Sequence, residues 1–168
     1  MIQVYTGNGK GKTTAALGLA LRALGAGQKV LLIQFLKDGK SSELKALKKI
    51  SGFDFKVFGK KGFISKNNLT QKDFDLAEQG FSFFQKAMGS RKYDLIILDE
   101  INVILDFKLI KTEELISLLR KKPVKIEIVL TGRGAPKKII AVADLVTEMK
   151  ERKHYFRKGI KARRGIEY

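Results

Sequence analysis

The chain alternates short, unbroken apolar runs with stretches that are apolar on one side only. Residues 29–35 (Lys-Val-Leu-Leu-Ile-Gln-Phe) and 94–100 (Asp-Leu-Ile-Ile-Leu-Asp-Glu) have apolar centres of strand length. Such continuity is what a strand shows when helices cover both faces of its sheet. Residues 2–5 and 126–130 read the same way, and 145–149 as a last strand. Residues 53–58 alternate Phe-Asp-Phe-Lys-Val-Phe, the pattern of a half-exposed strand.

Helical patterns lie between these runs. Residues 15–24 form one, stopped by Gly25 and Gly27. Residues 42–50 place Leu44, Leu47 and Ile50 on one face. Thr70-Gln71-Lys72-Asp73 has the form of a capping box, with Leu69 and Phe74 as a hydrophobic staple, and predicts a long helix to about residue 90. Its stripe of Phe74, Leu76, Ala77, Phe81 and Phe84 reads as core. Thr112 is the expected N-cap of a helix to about residue 120, broken by Pro123, and Pro136 opens another through Val142. Residues 59–68 read as a loop whose Phe63 and Ile64 either cover a ligand or tuck into the core. Strands alternating with helices predict an α/β fold, a mainly parallel sheet with helices on both faces. Without a repeat or a linker-like segment, residues 1–168 are expected to form a single domain.

Composition narrows the chemistry. At 168 residues and 44% apolar content the chain can bury a sizeable core. It has no cysteine, which excludes disulfides and thiolate metal sites, and its single histidine, His154, makes neither a metal cluster nor a catalytic triad. No apolar run is long enough to span a bilayer, and the first strand begins at residue 2, so a cytoplasmic protein without a signal peptide is expected. The net charge of +17 attracts polyanions, although lysines spread along the chain also suit a solvated surface. The densest basic stretch, 150–164, is interleaved with Tyr155 and Phe156, and Tyr168 follows it. Such a tail either stacks on bases or folds back on the sheet, and Gly159 and Gly165 predict a hairpin-like end.

The candidate chemistry begins in Thr6-Gly7-Asn8-Gly9-Lys10-Gly11-Lys12-Thr13-Thr14, a glycine loop between a strand and a helix. This is a phosphate-binding P-loop, with Thr6 where the first glycine is usual. Gly7, Asn8, Gly9, Lys10, Gly11, Lys12, Thr13 and Thr14 are the expected ATP-binding residues, with Lys12 reaching the terminal phosphates and the Thr13 hydroxyl on Mg²⁺. Asp99 and Glu100, at the end of an apolar strand, are expected to complete the Mg²⁺ site. Arg133, in Thr131-Gly132-Arg133-Gly134 after another strand, would hold either a phosphate or a surface carboxylate.

Taken in order, Gly-Asn-Gly-Lys-Gly-Lys-Thr-Thr-Ala-Ala (7–16), Gln34-Phe35, Gly62-Phe63, Leu98-Asp99-Glu100, Thr131-Gly132-Arg133-Gly134, Ala143-Asp144, Lys153-His154, Gly159-Ile160-Lys161-Ala162 and Gly165-Ile166-Glu167-Tyr168 span nearly the whole chain. They resemble the P-loop type of ATP:corrinoid adenosyltransferase. The resemblance implies a RecA-like P-loop NTPase fold, a homodimer, and ATP, Mg²⁺ and a corrinoid as ligands. It implies attack of a Co(I) corrinoid on the 5′ carbon of ATP, with triphosphate leaving and Lys10 and Lys12 stabilising its charge. A reductase such as a flavoprotein is the implied electron source, and Phe63 matches an apolar position that keeps the cobalt four-coordinate. Ser65 stands where better-studied members have tryptophan, and the helical extension many carry before the first strand is expected to be lacking. The alternative reading is a RecA-like ATPase that binds nucleic acid through its basic surface; on the motifs, nucleic acid is not the expected partner.

Overall fold

The computed structural model describes residues 1–62 and 64–167; Phe63 and Tyr168, both named above, lie outside the described residues. Six strands form one sheet: β1 (Ile2–Thr6), β2 (Val30–Phe35), β3 (Phe53–Phe58), β4 (Leu95–Asp99), β5 (Glu127–Thr131) and β6 (Leu145–Glu148). Their order is β3-β2-β4-β5-β1-β6, and every neighbouring pair is parallel. The helices are α1 (Lys12–Gly25), α2 (Ser42–Leu47), α3 (Gln71–Gly89), α4 (Ile101–Asp106), α5 (Thr112–Arg120) and α6 (Lys137–Val142). This is the expected α/β fold.

The unbroken apolar runs become the central strands, because each face of the sheet has its own core. Leu31, Ile33 and Phe35 of β2 join Ile96 and Leu98 of β4 and Ile128 and Leu130 of β5 in one cluster. Val30 and Leu32, Leu95 and Ile97, and Val129 face the other way, against Ala16, Leu17, Ala20, Ala23 and Leu24 of α1. Burying each Leu, Ile or Val side chain stabilises the fold by about 1.5–3 kcal/mol. Three alanines on the inner face of α1 let it lie close to the sheet.

The same two-residue period places the polar ends. Gln34, Asp99 and Thr131 continue the rows Val30–Leu32, Leu95–Ile97 and Val129, so all three fall on the α1 face at the C-terminal edge. Registers Gln34↔Asp99 and Leu98↔Leu130 set these residues side by side. Open parallel sheets bind ligands at that edge.

Several elements depart from expectation. α1 begins at Lys12 rather than at residue 15, because Gly11, at φ 113°, turns the loop directly into the helix. α4 was not expected: its residues prolong an apolar strand pattern, but Glu100 at φ 65° breaks the extended chain and starts a helix. α5 is capped by Lys111, so Thr112 is its first residue and not its N-cap. Thr70 does cap α3 through its capping box with Asp73, but Phe74 is 36% exposed and stands outside the core stripe. The basic tail forms a 3-10 turn at Tyr155–Lys158 and further turns rather than a hairpin.

Candidate nucleotide and metal site

The loop between β1 and α1 is shaped by its neighbours. Met149, just beyond β6, receives a hydrogen bond from Gly9 N at 2.7 Å and donates one to Thr6 O at 2.8 Å. A Cβ on Gly7, at φ 94°, would sit 2.4 Å from Met149 O, and one on Gly9 2.8 Å from it. These glycines are therefore needed for the approach of the β6 end as well as for any approach of phosphate. Thr6 is buried, and its hydroxyl accepts from Ala135 N at 3.3 Å, tying the loop to the segment that carries Arg133.

At the inner end of the loop the expected metal groups meet. Thr13 Oγ1 donates to Asp99 Oδ1 at 2.8 Å, and Thr131 Oγ1 donates to the same oxygen at 2.7 Å. Gln34 Nε2 and Lys37 Nζ donate to Asp99 Oδ2 at 2.9 and 2.8 Å. Lys37 also pairs with Glu100 Oε1 at 3.1 Å and donates to Thr13 Oγ1 at 3.1 Å. Asp99 is wholly buried. Burial alone would raise its carboxyl, but the Lys37 charge and hydrogen bonds from Lys37, Thr131 and Gln34 hold it below the usual carboxylate range. The Glu100 backbone N–H donates to Thr131 Oγ1 at 3.0 Å, which holds its left-handed backbone in place.

Lys12 bonds to the Gly7 and Gly9 carbonyls at 2.8 and 2.7 Å. Its ammonium is pulled below the ordinary lysine value, first by burial, with Arg133 and Lys37 adding to this against Glu100 and Asp99. A half-buried amine near two further cations stands where an anion would bind well. Gly11 offers α1 no side-chain cap, so the first N–H groups of a 14-residue helix face the loop and can donate to a polyphosphate. Arg133 is exposed between Gly132 and Gly134 and has no ion-pair partner among the described residues.

Lys10 goes elsewhere. Its ammonium bonds Tyr155 Oη at 3.0 Å, Ile166 O at 2.9 Å and Glu167 Oε1 at 3.1 Å. Tyr155 also hydrogen-bonds Glu167, and the Arg163 guanidinium lies 3.2 Å from the same Glu167 oxygen. Hydrogen bonds from Arg163 and Tyr155 hold the Glu167 carboxyl well below its ordinary range. Thus the structure brings Lys12, Thr13, Asp99 and Glu100 together with Lys37, and sets Lys10 against the tail. Of the tail aromatics, Tyr155 joins this cluster and Phe156 is 72% exposed.

The donor set fits Mg²⁺. That ion takes hard oxygens and is usually held by one or two carboxylates and substrate phosphates, with water completing the shell. Thr13, Asp99 and Glu100 supply such oxygens, and they already converge on one cation, the Lys37 ammonium. Among the described residues no group of three or more His, Cys, Asp or Glu forms an all-protein metal site. Nor is any described helix long and apolar enough to cross a membrane.

Sequence reasoning missed Lys37 and Gln34's partner. For Gln34 the signal was available, since it lies in the quoted motif on a strand that pairs with β4; Lys37, two residues beyond β2, carried none.

Known proteins give this geometry a context. The family profile for ATP:corrinoid adenosyltransferase BtuR/CobO/CobP matches residues 1–168. The corrinoid adenosyltransferase of Escherichia coli K12 is 34% identical over 168 residues, covering 100% of this chain and 85% of that protein. The corrinoid adenosyltransferase CobA of Salmonella typhimurium is likewise 34% identical, with the same coverage. That of Pseudomonas aeruginosa is 34% identical over 170 residues, covering 100% of this chain and 83% of that protein. The phosphate loop, the buried acid beneath it and likeness along the full length agree: the chain belongs to the ATP:corrinoid adenosyltransferase family.

Proposed function

We propose that this protein transfers the 5′-deoxyadenosyl group of ATP to the Co(I) of a corrinoid and releases triphosphate. The observation that carries the reading is the meeting of Lys12, Thr13, Asp99 and Glu100 at one end of a glycine loop in a chain of this family. In the reaction the Co(I) electron pair forms a Co–C bond to C5′ while the C5′–O pair departs with the triphosphate. No proton is abstracted, so the chemistry asks for no general base.

The residues divide the work. The amides of Gly7, Asn8 and Gly11 and the start of α1, with Thr14 on its first turn, cradle the triphosphate, and the Gly9 amide joins them only by leaving the Met149 carbonyl it bonds here. Lys12 exchanges its loop carbonyls for phosphate oxygens, and Arg133 adds a second cation from the β5 edge. Both are in place before negative charge builds on the leaving oxygen, so little reorganisation is needed. Thr13, Asp99 and Glu100 hold Mg²⁺, directly or through water. When bound, the ion neutralises phosphate charge and so makes triphosphate a better leaving group. Asp99 is also a positioning residue, since it fixes the Thr13 hydroxyl. Lys10, tied to the tail, contributes less to the leaving group than its place in the motif suggests.

The corrinoid half rests on the segment between β3 and α3. Its flanks are anchored at the ligand edge: Lys66 pairs with Asp106 at the end of α4 at 2.9 Å, and Gly59 packs on the Lys37 backbone. Phe63, outside the described residues, matches the family's apolar corrinoid position by sequence, and Ser65 stands two residues after it. The reading carries with it a single domain over residues 1–168, a homodimer, a cytoplasmic location and a reductase, such as a flavoprotein, that delivers Co(I).

The test is product analysis under anaerobic conditions with ATP, Mg²⁺ and reduced corrinoid. Triphosphate appearing only with Co(I) present, alongside a light-sensitive corrinoid, supports the reading. ADP and phosphate, stimulated by nucleic acid and suppressed by salt, would replace it with the ATPase reading suggested by the charge of +17.

A further inference from the structure

Lys37 occupies a position that the reaction reading gives to a metal. Its ammonium lies 2.8 Å from Asp99 Oδ2, 3.1 Å from Glu100 Oε1 and 3.1 Å from Thr13 Oγ1, the same three groups assigned to Mg²⁺. The backbone beneath it is fixed. Leu36 turns at φ 59°, Leu36 N donates to Phe58 O at 3.3 Å, and a Cβ on Gly59 would meet Lys37 N and O at 2.3 Å. The side chain, by contrast, is 35% exposed, so it can leave towards solvent without unpacking the core. A pinned backbone with a long flexible arm suits a charge that comes and goes.

We propose that Lys37 is a built-in counter-cation of the metal site, balancing Asp99 and Glu100 until a triphosphate brings Mg²⁺ and then giving up its place. Two carboxylates beneath a phosphate loop would otherwise repel the incoming polyanion or take up a divalent ion with no nucleotide bound. Lys37 opposes both, because its charge cancels one of the two negative charges and repels a lone dication. Metal entry is thereby coupled to nucleotide entry. Lys37 is a positioning residue in this scheme, and the inference rests on the reading of Thr13, Asp99 and Glu100 as the Mg²⁺ end.

The experiment uses the full chain, metal ions and inorganic tripolyphosphate, without corrinoid. Mn²⁺ binding is followed by electron paramagnetic resonance, and thermal unfolding is recorded in chelator, in Mg²⁺, and in Mg²⁺ with tripolyphosphate. Wild type should bind Mn²⁺ weakly and gain Tm only when metal and tripolyphosphate are both present. Lys37→Met should bind Mn²⁺ alone at least about tenfold more tightly, having lost a repelling charge at hydrogen-bond distance. It should also melt lower in chelator and recover with Mg²⁺ alone, whereas Lys37→Arg should behave as wild type. Unchanged Mn²⁺ affinity in Lys37→Met, or a Tm deficit that Mg²⁺ does not repair, would overturn the proposal. So would a wild-type Tm that rises as much with Mg²⁺ alone as with Mg²⁺ and tripolyphosphate, a result that needs no variant to fold. If metal-dependent turnover stands while Lys37→Met gains no metal, only the role of Lys37 falls. If neither Mn²⁺ nor Mg²⁺ binds with tripolyphosphate present, the metal site itself is wrong.

Discussion

Lys10 and Lys12 stand two positions apart on one loop and live in different worlds. Lys12 lies at the inner end, among Asp99 at the end of β4, whose face is set by the register of a buried parallel sheet, and Lys37, Glu100 and Arg133 just beyond the strand ends. Lys10 lies at the outer end, and its partners, Tyr155, Ile166 and Glu167, come from turns of the exposed tail. The inner end is partly buried over a wholly buried Asp99 and rich in competing charges, so a phosphate placed there meets donors already gathered. The outer end is a surface ion-pair network in which the Lys10 ammonium reaches solvent, so its contribution is smaller and yields more to salt. What the loop does chemically is therefore decided at one end, while the other end is fastened to the tail through Tyr155, Ile166 and Glu167.

The sharpest test of that contrast is Lys12→Ala against Lys10→Ala. Removing Lys12 should lower kcat/KM by roughly 100-fold to 1,000-fold or more, as for other preorganised donors to a developing anion. The fold should hold, since Lys12 bonds only two loop carbonyls. An equal loss in Lys10→Ala would erase the distinction between the ends.

Next in size is Asp99→Ala. It leaves Lys37 without its buried partner and Gln34, Thr13 and Thr131 without their acceptor. Stability should fall near the low end of the roughly 3–5 kcal/mol typical of breaking a buried pair, because Lys37 reaches solvent. Denaturant unfolding at neutral pH measures it. A loss within experimental error would mean that the cluster does not organise the inner end.

Gly9→Ala probes the seam between the loop and β6. Its methyl would stand 2.8 Å from Met149 O, so the edge strand must shift, at a cost of about 1–3 kcal/mol. Hydrogen exchange should quicken in β6 first. If exchange changes equally in β4, the two ends are mechanically coupled.

The smallest effect is expected from salt. Raising it to about 1 M shortens the Debye length to about 3 Å and should loosen the Lys10–Glu167 contact, seen as faster proteolysis of the tail. The Lys37–Asp99 pair, with its carboxylate wholly buried, should keep its protection.

Legibility in the sequence follows the same divide. The loop, Asp99 and Glu100 were readable because each is a contiguous motif at the end of a strand run. The β-period even predicts which face Asp99 takes. Lys37 was not readable as a site residue, because it meets Asp99 by a side-chain contact across 62 residues, from the turn after β2, that only the β2–β4 pairing makes possible. The Lys10–Glu167 contact spans 157 residues and depends on how a strandless tail folds. α4 was hidden because Ile101–Asp106 prolongs an apolar run, and the left-handed turn at Glu100 that ends the strand is a conformation non-glycine residues seldom take. Phe74 was assigned to the core by helical spacing, yet it is 36% exposed, and spacing alone does not tell which residues of a stripe meet a neighbour.

The account depends on the loop holding the triphosphate as a leaving group, so that a carbon and not a phosphorus atom is attacked. ATP carrying ¹⁸O at the bridge between C5′ and the α-phosphorus reports this directly. After turnover with Co(I) corrinoid the label should be found in the released triphosphate, because the C5′–O bond breaks. Label remaining in ADP, AMP or adenosine would show cleavage at phosphorus and contradict it.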